Sequence, residues 1–265
     1  MAKLTKEQAG QHAEAVDLLR KDRLNDDERE FVLRNWREDA NHVNTIAGAF
    51  FTPLDLALDF TIEVHGRRII DLCGGIGHLS LACHWRNGWS DPPREIVCIE
   101  KNPDYVAVGR KVLPEARWIC ADVFELPFLA PELGRFDIAI SNPPFGAIKR
   151  QNRNAPRYSG RSFEYHVIDL ASDVADHGTF IIPQMSAPFR YSGQPSYRRD
   201  EAPAYLDFQR ATGIDLGHSC GIDCDYHKDG WRGVSPTVEI VRADFTEARA
   251  ARAAGQSDMF ARAAE

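Results

Sequence analysis

Arg68-Ile-Ile-Asp-Leu-Cys-Gly-Gly-Ile-Gly-His-Leu-Ser-Leu-Ala82 reads as an apolar strand ending at Asp71, a glycine-rich turn and an apolar-periodic helix. That is the strand–turn–helix context a nucleotide-binding loop requires. Its glycines let a ligand approach the backbone closely, and the helix N-terminus supplies free N–H donors. Two common phosphate loops do not fit. No Gly-Lys-Ser/Thr follows, as a P-loop would need, and Cys73 stands where the first glycine of a dinucleotide fingerprint is expected.

Three more apolar runs follow, and each ends on polar chemistry. Glu95-Ile-Val-Cys-Ile-Glu100 ends in a carboxylate able to accept both hydroxyls of a ribose, and Ala116-Arg-Trp-Ile-Cys-Ala-Asp122 in one able to accept from an adenine amino group. A single strand-terminal acid is commonly a cap or turn residue. Three in succession, at Asp71, Glu100 and Asp122, line one cleft along the carboxyl edge of a sheet. Phe136-Asp-Ile-Ala-Ile-Ser141 then runs into Asn142-Pro143-Pro144-Phe145. Strands buried on both faces are near-continuously apolar, and open α/β sheets bind ligands beyond their carboxyl ends. The two prolines stiffen the turn and remove two donors. Asn142 can accept and donate, and Phe145 offers a flat apolar face, so the turn suits a planar group bearing an exocyclic amine.

The rest of the chain supplies context. Helical spacing over residues 5–24 and an Asn25/Glu28 capping box predict two N-terminal helices whose role the sequence leaves open. Phe50-Phe51-Thr52-Pro53 predicts a helix start with Thr52 as N-cap, Pro53 at the first helical position and Asp55 in the capping-box place. Residues 147–161 carry Lys149, Arg150, Arg153, Arg157 and Arg161 with no acid, a pattern suited to phosphate contacts. Phe189, Arg190, Tyr191, Tyr197, Arg198 and Arg199 interleave rings and cations in a way that suits a flipped base and its backbone. A helix from Ser162 to Asp176, a strand over Thr179–Pro183 and two closing strands (214–217 and 237–245) complete the reading. His218, Cys220, Cys224 and His227 are zinc-like residue types, but structural zinc sites draw on two well-separated pairs, so the segment reads as a hairpin loop and no metal is assigned. A net charge of −7 argues against wholesale coating of nucleic acid and leaves room for a local basic groove. Six cysteines, three on strand-like runs, fit reduced thiols. The absence of an apolar leader or a long apolar run predicts a soluble, cytoplasmic protein.

On these motifs the sequence resembles the class I S-adenosylmethionine-dependent methyltransferases, and within them the amino-methyltransferases with an Asn/Asp-Pro-Pro-aromatic turn. The resemblance covers residues 50–245 or so. It implies a Rossmann-like, doubly wound, mainly parallel seven-stranded sheet with an antiparallel edge hairpin. The corresponding division is an N-terminal helical extension (1–49), a methyltransferase domain (50–246) and a flexible tail (247–265). It implies S-adenosylmethionine held by Phe51, Thr52, Pro53, Asp71, Cys73, Gly75, Gly77, Glu100, Lys101, Asp122, Val123 and Asn142. Catalysis would lie with Asn142, Pro143, Pro144 and Phe145, and substrate contact with Lys149, Arg150, Arg153, Arg157, Arg161, Phe189 and Tyr191. The implied activity is adenine-N6 methylation of nucleic acid, DNA before RNA. An rRNA adenine methyltransferase, a protein glutamine-N5 methyltransferase and a non-catalytic cofactor-binding subunit are the alternatives. Gln256-Ser-Asp-Met-Phe260 resembles the pentapeptide by which bacterial replication proteins bind the sliding clamp.

Overall fold

A computed structural model describes residues 4–37, 50–87 and 92–263, with side chains up to residue 254. Two capped helices come first, α1 (Lys6–Leu18) and α2 (Asp26–Asn35). Each opens on a reciprocal capping box, Thr5 with Gln8 and Asn25 with Glu28. Then follow α3 (Leu54–Phe60), β1 (Arg68–Leu72), α4 (His78–Trp85), β2 (Glu95–Glu100), α5 (Pro103–Val112), β3 (Arg117–Cys120), α6 (Leu126–Leu133) and β4 (Phe136–Ser141). The second half comprises α7 (Phe163–Val174), β5 (Ala175–Pro183), β6 (Phe189–Arg190), β7 (Arg198–Arg199), α8 (Pro203–Thr212), β8 (Gly217–His218), β9 (Val238–Asp244) and α9 (Phe245–Ala263).

The main sheet has seven strands in the order β3-β2-β1-β4-β5-β9-β8. The first five are parallel, and β9 and β8 run antiparallel at the edge; β6 and β7 form a separate small hairpin. The expected Rossmann-like α/β architecture is therefore present. Period-two alternation sorts the strand residues onto two cores. Ile69, Cys98, Ile138, Ile140, Ile181 and Ile240 pack with the N-terminal helices and α3–α5. Ile70, Val97, Ile99, Ala139, Phe180 and Val241 pack with α6–α9. The order reverses direction between β1 and β4, so the loops leaving those two strands diverge and open a crevice.

Several boundaries differ from the sequence reading. The strand at 214–217 shrinks to Gly217–His218, and β5 begins at Ala175, taking over residues expected to end α7. The start of α3 also differs. Pro53, in an extended conformation, is the N-cap, and no side chain caps the helix. Thr52 and Asp55 are used elsewhere. The Thr52 hydroxyl accepts from Asn142, and Asp55 takes a two-pronged hydrogen bond from Arg34 of α2 at 2.7 and 3.2 Å.

The first turn of α9 docks on the body. Phe245 and Ala248 are buried, and Arg249 donates to the carbonyls of Ser172 and Ala175. Gln256–Phe260 lie on the helical backbone of α9, and their side chains are outside the described residues. The six cysteines are all unpaired. Among the described residues no helix is long and apolar enough to cross a membrane.

Candidate active site

The glycine-rich loop leaves β1 through left-handed backbone. Cys73 has φ 60°, a conformation that a glycine would adopt without strain and a β-carbon makes costly. Gly75 and Gly77 follow at φ 57° and 100°, and a β-carbon at Gly75 would stand 3.3 Å from the Phe51 ring. The loop is tied to its neighbours, with Gly74 N–H donating to the Ile99 carbonyl and Gly75 N–H to Glu100 Oε2 at 2.9 Å. The other Glu100 oxygen accepts from Asn102 N–H at 2.8 Å. Glu100 thus splices the loop to the end of β2.

A cleft of about 870 Å³ opens over this loop. Phe51, Thr52, Asp71, Cys73, Gly75 and Glu100 line it, with Lys101, Asp122, Val123, Asn142 and Pro144. Of the other expected cofactor residues, Gly77 is the N-cap of α4 and faces Trp118. Pro53 supports from behind, packed against Gly230. A second cavity, of about 770 Å³, lies at the opposite edge of the sheet among the amino ends of β4 and β5, away from the glycine loop.

Asp71 is fully enclosed. Its Oδ2 accepts from the Ser80 hydroxyl at 2.5 Å, while Oδ1 is buried without a partner. Burial pushes its carboxyl up to about 7, with the negative charge of Glu100 adding to the shift. A bare carboxylate oxygen at the floor of a cleft fits a ligand ammonium. Cys73 stays a thiol, since burial and the charges of Glu100, Asp122 and Asp71 all raise its pKa. His78, stacked on Phe51 at 5.5 Å, is held neutral, pushed down to about 3 by burial and by Arg232. Its Nε2–H donates to the Leu33 carbonyl.

Asn142 is oriented from 90 residues away in the chain. Its Nδ2 donates to the Phe50 carbonyl at 3.0 Å and to Thr52 Oγ1 at 2.9 Å. A carbonyl can only accept, so the nitrogen must face Phe50, and this fixes the amide orientation. Oδ1 is left buried with no protein partner. Pro143 is buried, and Phe145 packs at 6.3 Å against Phe50. The roles of Phe50 and Thr52 as holders of Asn142 carried no local sequence signal, because the contact spans two distant segments.

Several expected substrate contacts are engaged within the protein. Arg153 donates to Asp122 at 2.6 Å with its guanidinium over the Phe124 ring, and Lys101 reaches the same Asp122 oxygen at 3.0 Å. Arg150 donates to the Gly160 carbonyl and Asn154, and contacts His166. Arg157 pairs with the fully buried Asp169 and with Asp173. Lys149 and Arg161 are exposed, and neither forms an ion pair among the described residues. Phe189 is buried beneath Tyr197, stacked at 5.6 Å, so Tyr197 rather than Phe189 presents a ring to solvent. Tyr191 is half-buried, its backbone bound to Glu239. The four residues of the zinc-like segment have separate partners. His218 packs on Phe189 and Tyr197, the Cys220 N–H binds Glu63, the Cys224 N–H binds Ser192, and His227 pairs with Asp59. Among the described residues no three His, Cys, Asp or Glu side chains are placed to share a metal.

Comparison with known proteins accords with this geometry. Residues 55–157 match the methyltransferase small domain family. No curated protein matches the sequence. Among solved structures, the methyltransferase subunit of a type I restriction-modification system from Streptococcus thermophilus superposes with a TM-score of 0.57 at 17% identity, over 83% of this chain and 48% of that one. A modification subunit of a putative type I restriction enzyme from Vibrio vulnificus gives 0.54 at 10% identity, over 83% and 49%. A putative class I S-adenosylmethionine-dependent methyltransferase from Listeria monocytogenes gives 0.54 at 11% identity, over 85% and 69%. The chain spans about half the length of the first two. The fold is that of the class I S-adenosylmethionine-dependent methyltransferases.

Proposed function

We propose that the chain is an S-adenosylmethionine-dependent methyltransferase acting on the N6 amino group of adenine in nucleic acid, with DNA as the substrate. One observation carries the reading. The Asn142 amide spends both N–H groups on Phe50 and Thr52, leaving a buried, unpartnered Oδ1 beside the cleft. An acceptor held this rigidly in a buried place costs stability unless a donor arrives to satisfy it. An exocyclic amine is such a donor.

The cofactor's fit rests on Asp71, whose bare oxygen suits the methionine ammonium, on Glu100 for the ribose, and on the glycine loop for close backbone approach. S-adenosylmethionine supplies an activated methyl group on a sulfonium. The chain's own part is then alignment. The amino lone pair of adenine is delocalised into the ring, and hydrogen bonds from its two protons to Asn142 Oδ1 and the Pro143 carbonyl favour a tetrahedral nitrogen with its lone pair directed at the methyl carbon. Phe145 stacks on the base. Orientation of this kind supplies much of the acceleration and needs no strong base in the turn. The target atom is unreachable in a stacked duplex, so the base must be flipped out or come from a single strand.

Asp122 enters this reading with its Oδ2 already shared by Lys101 and Arg153, so adenine of the cofactor would have to displace or join those cations.

The test is nucleoside mass spectrometry of DNA and RNA from cells expressing the wild type or Asn142→Ala. N6-methyladenine in DNA that disappears in the variant is expected, with cofactor binding retained in vitro and methyl transfer down by about 10²-fold or more, as for loss of one pre-organised hydrogen-bonding group in an active site. Methylation confined to RNA or to glutamine would move the substrate class, and an Asn142→Ala protein of near-normal activity would overturn the mechanism.

A further inference from the structure

Glu164, in the first turn of α7, is 1% exposed and joins two segments that the fold brings together. Its Oε2 accepts from the N–H of Gly146, the residue directly after Phe145, at 2.9 Å. Its Oε1 accepts from the Ser186 hydroxyl at 2.6 Å, in the short 3₁₀ turn Gln184–Ser186 that ends β5. The sheet register explains the meeting. Ser141 of β4 pairs with Phe180 of β5, so the chain emerges from both strands side by side at the carboxyl edge.

The turn at Gln184–Ser186 is anchored on every side but one. Gln184 Nε2 donates to Glu239 Oε1 at 2.7 Å and to the Ser192 carbonyl at 2.9 Å, and Gln184 N–H to the Thr237 carbonyl. The Tyr165 hydroxyl donates to the Ser186 carbonyl at 2.6 Å. Between these two fixed residues stands Met185, 75% exposed. A lone exposed apolar residue is unremarkable on a surface. Met185 differs in its mount, because two buried carboxylates, Glu164 and Glu239, immobilise the residues flanking it, and Glu164 also holds the acceptor turn.

We infer that Met185 is a substrate-contacting residue, packing against the nucleic acid where the target adenine leaves its stack, and that Glu164 is the positioning residue that keeps Met185 in register with Asn142–Phe145. The inference rests on the nucleic-acid reading above. Apolar side chains, methionine among them, fill the gap between unstacked base steps, and a side chain on a rigid turn loses little freedom in doing so. The sequence points instead to Phe189 and Tyr191 for this role, one of which is buried and the other half-buried.

The test uses the full chain and a mixed-sequence, adenine-containing oligodeoxynucleotide. The chain holds three methionines, Met1, Met185 and Met259, so the oxidation rate of Met185 by dilute peroxide is readily followed by peptide mass spectrometry. Protection of Met185 on adding the oligonucleotide is expected. Met185→Ala is expected to raise KM for the oligonucleotide by about tenfold with cofactor Kd unchanged, and Met185→Leu to restore it, since burying most of an apolar side chain of this size is worth about that much. Glu164→Ala is expected to lower kcat and raise KM together, while Glu164→Gln, which keeps an acceptor for Gly146 and a partner for Ser186, stays near wild type. Unprotected Met185, or an unchanged KM in Met185→Ala, would overturn the inference while the wild type still methylates nucleic acid. A wild type that methylates no nucleic acid would overturn the reading on which it rests.

Discussion

A carboxyl bonded through one oxygen and bare on the other, in a fully enclosed place, keeps its proton almost to neutrality, and Asp71 does so up to about pH 7. The sign has two consequences. In the free protein the folded pKa lies above the unfolded one, so stability from this group is present at low pH and is lost as the pH climbs from the ordinary carboxylate range to about 7. A cationic ligand group reverses the preference, because it draws Asp71 into the ionised form. Cofactor affinity measured by calorimetry should therefore weaken several-fold from pH 8 to pH 6, by at most about tenfold per unit below the carboxyl's own pKa. Asp71→Asn should bind more weakly at pH 8 and lose that part of the pH dependence. Residue identities at this site were legible because strand-terminal acids and a glycine turn announce a cleft. Their protonation was not, since it depends on how completely the cleft floor is closed.

Among the elements, the segment leading into α3 shows where a local rule yields to a distant partner. Thr-Pro-x-Asp carries the composition of a helix start, and a capping hydroxyl is worth about 1 kcal/mol. The Thr52 hydroxyl instead accepts from Asn142, and Asp55 answers Arg34, leaving α3 to begin on Pro53 alone. Those helix N–H groups gave up a cap so that an amide 90 residues later could be fixed. Thr52→Val keeps the shape and removes the acceptor, so kcat should fall by about tenfold for the loss of one hydrogen bond, with cofactor Kd unchanged. Thr52→Ser should retain activity. No window of sequence around Thr52 contains Asn142, which explains why the cap was the natural expectation.

At the scale of the whole molecule, charge counted along the chain misleads about charge offered to a partner. The basic stretch 147–161 suggested five phosphate contacts, yet Arg150 is spent on the Gly160 carbonyl and Asn154, Arg153 on Asp122 and Arg157 on Asp169, which leaves Lys149 and Arg161 as the exposed cations of the stretch. Arg157→Ala leaves Asp169 as a fully buried charge without its cation and should cost about 3 kcal/mol in denaturant unfolding. It should leave the salt dependence of nucleic-acid binding unchanged. Lys149→Ala and Arg161→Ala should each reduce that salt slope by about one while leaving stability intact. The individual strands were readable because buried strands and their polar ends carry strong periodic signals, whereas the seven-stranded sheet was implied by the family resemblance and the order of its strands by nothing local. The N-terminal helices were readable as helices but not in their role. Trp36 packs edge-on to Tyr105 at 5.8 Å and beside Phe51 at 5.9 Å, and Arg232 donates to the carbonyls of Leu33 and Trp36, so the extension backs the wall of the cleft.

The grip of Phe50 and Thr52 on Asn142 also sets how the molecule can be shortened. A fragment trimmed to start at Leu54 would retain every recognisable motif from the glycine turn to the proline pair, and a survey of its sequence would find nothing missing. It would nonetheless have a freely rotating amide where the full chain has an aimed one. The shortest active piece of this protein is therefore longer than the shortest piece that can be identified.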